Sequence, residues 1–153
     1  MNRRIFLKGT LAGSAMATAI GAGLVTPSTV LARSAKAFDA ESVDNALDHL
    51  YGDTSMEDDD SIKIKAPDIA ENGAVVPITV ESDRDDIESI AIISEKNPTP
   101  LTSRFKLGDK THGFVSTRIK MGETSDVIAL VRANGTSYTA RKEVKVTVGG
   151  CGG

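Results

Sequence analysis

The sequence predicts a mainly β protein: an immunoglobulin-like antiparallel β-sandwich, preceded by a short amphipathic helix and followed by a flexible, glycine-rich C-terminal arm. Three observations support this prediction. From Ile62 onward, apolar residues recur with a period of two in short segments that Gly, Pro, Asn or Asp interrupt. Before that point, residues 38–51 have the spacing of an amphipathic helix. After the last strand-like segment, the chain ends in "GGCGG", residues 149–153.

Residues 1–32 have the pattern of an export signal rather than of part of a fold. Arg3 and Arg4 make a basic start, a weakly apolar stretch follows, and small residues precede Ala32. The segment "NRRIFLK" resembles a twin-arginine signal, which implies export by that route to the periplasm and no membrane attachment after cleavage. We expect cleavage after Ala32, with Ala37 as the alternative.

The composition narrows the classes of function. The chain has 153 residues and a net charge of −3, and loss of residues 1–32, which hold three basic and no acidic residues, makes it −6. This acidic excess argues against nucleic acid as a partner. The rest of the chain has the size of one domain. Because the chain has no Trp, aliphatic side chains must form most of its core.

Residues 33–61 are predicted to contain the helix and an acidic linker. The apolar side chains of "FDAESVDNALDHLY" share one helix face, at Val43, Ala46, Leu47, Leu50 and Tyr51. Asp39 is the predicted N-cap, and Gly52 is suited to end the helix. The acidic segment 57–61 is predicted to be a solvated linker, because it lacks the ligand spacing of a calcium-binding loop.

Residues 62–148 are predicted to form the sandwich from six or seven short strands. The strand-like segments are "SIKIKAP", "GAVVPITVES", "IESIAIIS", "GFVSTRIKM", "DVIALVRANG" and "ARKEVKVTVGG". The pair Asn134-Gly135 predicts a hairpin between the last two strands. Pro77 has no N–H to donate to a sheet, so we expect it on an edge strand or at a bulge.

Residues 149–153 form the predicted arm, and Cys151 within them is the only cysteine. The four flanking residues are predicted to keep the arm narrow and to act as its hinge; they are Gly149, Gly150, Gly152 and Gly153. The neighbouring sequence offers no helix N-terminus or adjacent base to activate the thiol. The chemistry must then come from a pocket that receives the arm, so the chain is predicted to be a covalent carrier and not an enzyme.

The lone cysteine also allows other interpretations. In the main alternative, the chain is a periplasmic adaptor that a lasting intermolecular disulfide tethers to a partner, since an oxidising compartment favours paired thiols. A Cys-His catalytic pair or a zinc site would need His49 or His112 near Cys151, and the sequence supplies no such proximity. We therefore predict no catalytic residue, no metal site and no cofactor in this chain.

Four segments in this order resemble the SoxY family, the sulfur-carrier subunits of the periplasmic Sox system for thiosulfate oxidation. They are "APDIAENGAVVPITV" at 66–80, "EKNPTPL" at 95–101, "STRIKMGETSDVIALV" at 116–131 and the terminal "GGCGG". The resemblance covers essentially the whole chain. It implies that Cys151 is the site where thiosulfate-derived sulfur is attached covalently.

The resemblance also implies a set of partners. A second small β-sandwich protein, SoxZ, is expected to form a heterodimer with the chain. The haem protein SoxXA is expected to conjugate thiosulfate to Cys151, and the hydrolase SoxB to release sulfate. Where it is present, the sulfane dehydrogenase SoxCD is expected to oxidise the remaining sulfur. All haem and metal chemistry would then belong to these partners.

Overall fold

A computed structural model describes residues 27–149. Helix α1 spans Pro27–Phe38, and the second of the two units into which the chain divides is Ser34–Gly153. The second unit contains helix α2, Val43–Tyr51, and the strands β1 Glu57–Asp58, β2 Lys63–Lys65, β3 Ile69–Ala70, β4 Val76–Ser82, β5 Ile87–Ser94, β6 Leu101–Lys106, β7 Gly113–Ile119, β8 Ser125–Ala133 and β9 Thr136–Val146. The predicted class, mainly β with a short helix before the strands, is confirmed.

Two sheets form the sandwich. The larger sheet has the order β1-β9-β8-β5-β6, with β3 also paired to β9, and the smaller one has the order β2-β4-β7. Strands β1 and β3 run parallel to β9, and the other pairs are antiparallel. No helix among residues 27–149 is long and apolar enough to cross a membrane.

The larger sheet is covered on both faces. The sandwich core lies between the sheets and contains Ile62, Ala70, Val76, Ile78, Val80, Ile87, Ile90, Ile92, Val115, Ile119, Met121, Val127, Ala129, Val131 and Val144. The helix-side cluster lies on the opposite face of the larger sheet and contains Ala37, Ala40, Ala46, Leu47, Ala91, Ile93, Leu101, Ile128 and Leu130. Burial on both faces explains why β5 and β8 are almost continuously apolar.

Helix α2 packs against the chain's own larger sheet, through Ala46 and Leu47 in the helix-side cluster. Gly52 ends the helix as predicted, with a φ of 71° and its N–H bonded to Asp48 O at 2.8 Å. The predicted N-cap at Asp39 is wrong. The N-cap is Ser42, whose hydroxyl accepts a hydrogen bond from Asn45 N at 3.2 Å, whereas the N–H of Asp39 bonds to Lys36 at the end of α1.

Two local predictions for the sandwich can be compared with the strands. Asn134 and Gly135, with φ of 49° and 74°, form a two-residue turn between β8 and β9, as predicted. Pro77 lies in β4, the middle strand of the smaller sheet, rather than in an edge strand. However, β2 pairs with β4 only from Thr79 to Glu81, so β4 has a single neighbour at Pro77 and the missing N–H is tolerated there.

Strand β6 was not predicted, and a bulge explains why. The pairing of β5 with β6 shifts register between Ile92 and Ile93. As a result, Leu101 joins the helix-side cluster while Phe105 packs against the sandwich core. These two residues have the same parity in sequence but lie on opposite faces, so the strand has no regular alternation.

The acidic segment 57–61 is attached to the sandwich rather than being a free linker. Its first two residues form β1, and Asp59 N bonds to Thr139 O at 2.9 Å. The carboxylate of Asp59 also forms an ion pair with Arg84, whose guanidinium stacks over the ring of Tyr138. This segment therefore connects the edge of the larger sheet to the loop after β4.

Acidification is expected to weaken this attachment. The pKa of Asp59 lies below its ordinary value of 3.8, chiefly because Ser61 N–H donates to its carboxylate, with further contributions from the Ser61 hydroxyl and Arg84. Because this pKa is lowered on folding, the Asp59 carboxylate stabilises the folded protein at pH values above its unfolded-state pKa. That stabilisation is lost as the pH falls towards the folded-state pKa.

The measurement is the free energy of unfolding of the wild type and of Asp59→Asn at about pH 6 and about pH 3. We expect the wild type to be more stable than Asp59→Asn at the higher pH. The difference between their free energies of unfolding should be smaller at the lower pH. The control is the neighbouring substitution Asp60→Asn, at an exposed residue. At the higher pH it should lower the free energy of unfolding by less than Asp59→Asn does. An equal gap at both pH values would contradict the assignment.

Candidate functional site

Most of the predicted site residues lie outside the described part of the chain. This holds for Cys151, Gly150, Gly152 and Gly153 of the arm, and for Arg3 and Arg4 of the export signal. Gly149 is the last described residue. The structural evidence therefore concerns the root of the arm, which we define as Thr147–Gly149, and the loops around it.

The root stays hydrogen-bonded beyond the end of β9. Thr147 donates from its backbone N–H to Ala70 O at 3.1 Å and from its hydroxyl to Glu71 O at 3.2 Å. Val148 then accepts a hydrogen bond from Gly73 N at 2.8 Å. The chain is thus held against the segment that follows β3 up to the residue before Gly149.

A second loop, between β7 and β8, reaches the same place. Met121 N donates to Gly73 O at 2.7 Å, so Gly73 bonds to this loop with its carbonyl and to the root with its N–H. The hydroxyl of Thr124, in the same loop, accepts from Val146 N at 2.9 Å. Both loops are therefore fixed to the C-terminal end of β9.

Asn97 holds the β7-β8 loop through both ends of its side-chain amide. Its Nδ2 donates to Lys120 O at 2.7 Å, and its Oδ1 accepts from Gly122 N at 2.9 Å. Sequence analysis assigned no role to Asn97 or Gly122. Both fall within the segments "EKNPTPL" and "STRIKMGETSDVIALV", but an Asn and a Gly in loops carry no signal that separates this role from an ordinary turn.

Gly149 lies directly beside the carbonyl group of Gly122. A Cβ at Gly149 would overlap the Gly122 carbonyl oxygen, so the backbones approach more closely than any other residue type would allow. Sequence analysis assigned Gly149 to the hinge of the arm. The structure gives a different physical reason for a glycine at this position, the close approach of two backbones.

The surface around the root is partly apolar. Five large apolar side chains of the described region are exposed, and three of them, Ile69, Val75 and Val148, belong to the root and to the segment bonded to it. An ion pair joins Lys142 of β9 to Asp68, which precedes β3, with a distance of 3.1 Å between Nζ and Oδ1. Apolar groups at the exit of the chain are compatible with contact with another protein.

A large cleft lies at the other end of the sandwich. It is lined mainly by the charged loops after β4 and β6, including Asp85, Asp109 and His112, and by Asn134 of the β8-β9 turn. Because β9 runs from that turn to the root, this cleft and the root are at opposite ends of the strand. His112 is thus placed away from the root, and no metal-binding group of His, Cys, Asp and Glu occurs among the described residues.

The fold and the chain end define a class: a small β-sandwich protein whose last strand leads into a short, cysteine-bearing glycine segment. The family model "Sulfur oxidation protein SoxY" matches residues 47–151, which includes the cysteine. The chain belongs to the SoxY family of sulfur carrier proteins.

A solved structure agrees with this assignment. The chain is similar to the sulfur carrier protein SoxY from Chlorobium limicola f thiosulfatophilum, with 36% identity and a TM-score of 0.63 over 69% of this chain and 96% of that one. A superoxide reductase (neelaredoxin) from Ignicoccus hospitalis, at 20% identity and a TM-score of 0.50 over 56% of this chain and 80% of that one, shares the fold alone. The comparison with curated proteins found no match.

Proposed function

We propose that this chain is a periplasmic sulfur carrier, which holds thiosulfate-derived sulfur covalently on Cys151 and presents it to partner enzymes. The observation that carries the proposal is the position of the only cysteine, two residues beyond Gly149, where the root that follows the last strand of a SoxY-family sandwich ends. The chain contributes the thiol and its presentation, and the partners supply the catalysis. The chain itself binds no cofactor.

The proposed cycle starts and ends with the free thiol. The Cys151 sulfur forms a bond to the sulfane sulfur of thiosulfate, the thiol proton is released, and two electrons pass to the haem protein SoxXA. Water then attacks the terminal sulfonate sulfur in the site of SoxB, the bond between the two outer sulfur atoms breaks, and sulfate leaves. A persulfide remains on Cys151.

The persulfide is processed further where SoxCD is present. Oxidation of its outer sulfur to a sulfonate takes up oxygen from three water molecules and releases six electrons to that enzyme. A second hydrolysis by SoxB releases sulfate and restores the thiol. Throughout the cycle, covalent attachment keeps the reactive sulfur from diffusing away between sites.

Export and assembly are part of the same proposal. The twin-arginine pattern at Arg3 and Arg4 carries the chain to the periplasm together with SoxZ, its heterodimer partner, after folding. Cleavage after Ala32 fits this scheme better than cleavage after Ala37. Ala37 is 0% exposed in the helix-side cluster, and the earlier cut retains it in the mature chain.

The state of Cys151 in protein purified from thiosulfate-grown cells tests the proposal. A carrier should show a mixture of sulfur-containing adducts on Cys151 that a thiol reductant removes. The adaptor alternative predicts one stable disulfide to another protein instead. Finding that disulfide, with no sulfur adduct, would overturn the carrier function.

A bulky side chain in the arm should block processing without affecting stability. Gly152→Phe is expected to slow partner-dependent turnover strongly, because the arm must enter narrow sites. Gly108→Phe is the control, since Gly108 lies in the loop after β6 at the far end of the sandwich, where an added Cβ meets nothing closer than Thr111 Oγ1 at 3.6 Å. Steady-state turnover and thermal unfolding of both variants give the comparison, and normal turnover of Gly152→Phe would refute the need for a slender arm.

A further inference from the structure

The contacts around the arm root form a closed ring. Asn97 holds the backbone at Lys120 and Gly122, Met121 between them bonds to Gly73, and Gly73 bonds to Val148. Gly149 then returns to Gly122 by direct backbone contact. Each member of the ring thus touches the next one, and four separate stretches of the chain are tied together where the arm begins.

We propose that this ring, which we call the root clamp, fixes the direction in which the arm leaves the sandwich. In this proposal, the clamp holds the chain up to Gly149, and Asn97 and Gly149 are positioning residues for Cys151, whereas Gly122 contributes only its backbone N–H and carbonyl. The inference rests on the proposed carrier function and adds to it how the thiol is presented. Neither positioning residue touches the sulfur; both act through the backbone of the root.

Each member of the clamp has a feature suited to holding backbone. The side chain of Asn97 both donates and accepts, so it bonds to the chain on the two sides of Met121 as a neighbouring strand would. Gly73 uses both of its backbone groups, at 2.7 and 2.8 Å. Gly149 has no Cβ, which is what permits contact with the Gly122 carbonyl.

A fixed root changes how the thiol is delivered. With the chain held at Gly149, the Cα of Cys151 can lie at most about 7 Å away, because an extended residue spans about 3.3–3.6 Å. A partner must then approach the face around Ile69, Val75 and Val148 to reach the sulfur. Fewer residues remain to be ordered on docking, and the reacting group arrives from a constant direction.

A matched pair of alanine substitutions separates the clamp from a general effect of side chains near the arm. Gly149→Ala places a Cβ into the Gly122 carbonyl and must displace the root. Gly122→Ala places its Cβ 3.7 Å from Asn97 Oδ1, an ordinary contact distance. The two changes are chemically the same and lie on the two sides of one contact, yet only the first should loosen the root.

Backbone order is read from the ¹⁵N heteronuclear NOE of the mature chain. In the wild type and in Gly122→Ala we expect rigid values through Gly149 and a drop from Gly150 onward. In Gly149→Ala the drop should move back towards Thr147, with faster amide exchange at Gly73. Asn97→Ala should give the same result by a second route, if Gly149→Ala does not fold. The clamp would be overturned if the NOE of the wild type fell at or before Val148. It would also be overturned if the NOE of both loosened variants fell only from Gly150 onward.

The positioning role is read from loading of Cys151 with thiosulfate by its haem-containing partner, followed as adduct formation by intact mass. Gly149→Ala and Asn97→Ala should load about tenfold more slowly, since small misplacements of a reacting group have effects of this size or larger. Gly122→Ala should load at the normal rate. Alkylation by iodoacetamide, which needs no directed approach, should proceed equally in all four proteins.

Failure of this inference differs from failure of the carrier function. Loosened variants that load at the wild-type rate would overturn positioning and leave the carrier intact. A wild-type chain that takes up no sulfur from thiosulfate would overturn the carrier and, with it, the positioning role. In that case, the NOE comparison would still decide whether the root is clamped.

Discussion

Cys151→Ser is expected to abolish thiosulfate-dependent turnover while leaving the folded domain unchanged. The substitution replaces one sulfur atom by oxygen, which cannot form the sulfur–sulfur bond on which every step of the proposed cycle depends. The loss should therefore be complete rather than partial, because the chain has no second cysteine. Turnover in a reconstituted system with all partners is the measurement.

Stability provides the control for this variant. Cys151 lies three residues beyond the last bonded carbonyl of the root, at Val148, so Cys151→Ser should change the free energy of unfolding by no more than about 0.5 kcal/mol, as surface substitutions generally do. Association with SoxZ should also be unaffected. Residual turnover above that of a reaction without the chain would contradict the assignment of the sulfur to Cys151.

Leu47→Ala is expected to have the largest effect on stability among the predictions made here. The Leu47 side chain is 1% exposed and packs in the helix-side cluster. Truncation of a buried leucine removes apolar contacts and leaves a cavity, which costs about 2–5 kcal/mol. Denaturant unfolding of the isolated mature chain gives the free energy.

The same experiment tests where helix α2 belongs. Leu50→Ala is the matched control, because Leu50 lies one turn further along α2 and is only partly buried against the same cluster, so its loss should be smaller. If α2 docked on a partner instead, neither substitution would change the stability of the chain alone. A loss for Leu47→Ala of less than about 1 kcal/mol would contradict the packing described here.

Regular patterns in the sequence are sufficient to predict the architecture. The period of two predicted the sandwich, the apolar stripe at Ala46 and Leu47 predicted α2, and the Asn134-Gly135 pair predicted the last hairpin. These features succeed because each depends on residues that are close in sequence. The stripe could not tell which surface α2 covers, since a helix face shows only that it is buried and not against what.

The features that were missed depend on contacts between distant segments. Strand β6 loses its alternation because of a bulge in its pairing with β5, which no property of "LTSRFK" reveals. Ser42 rather than Asp39 caps α2, because α1 extends to Phe38 and Asp39 closes it. Both residues are good N-caps, so propensity alone could not choose between them.

The functional site also combines features that the sequence reveals with features that depend on contacts between distant segments. Cys151 and its glycines stand out in the sequence because a lone thiol in such a setting is unusual. The root does not stand out, because its contacts join Asn97, Gly122 and Gly73 to Gly149 across the fold. Glycine at position 149 is required by the contact with Gly122, a reason that only the three-dimensional arrangement reveals.

Covalent loading of Cys151 is the central claim, and intact-mass analysis of the reconstituted system tests it most directly. The mature chain, in complex with SoxZ, is incubated with thiosulfate with and without the haem-containing partner. The account predicts a reductant-labile mass increase of one thiosulfate-derived group, on the peptide that contains Cys151, only when the partner is present. An unchanged mass, or an adduct on any other residue, would contradict it.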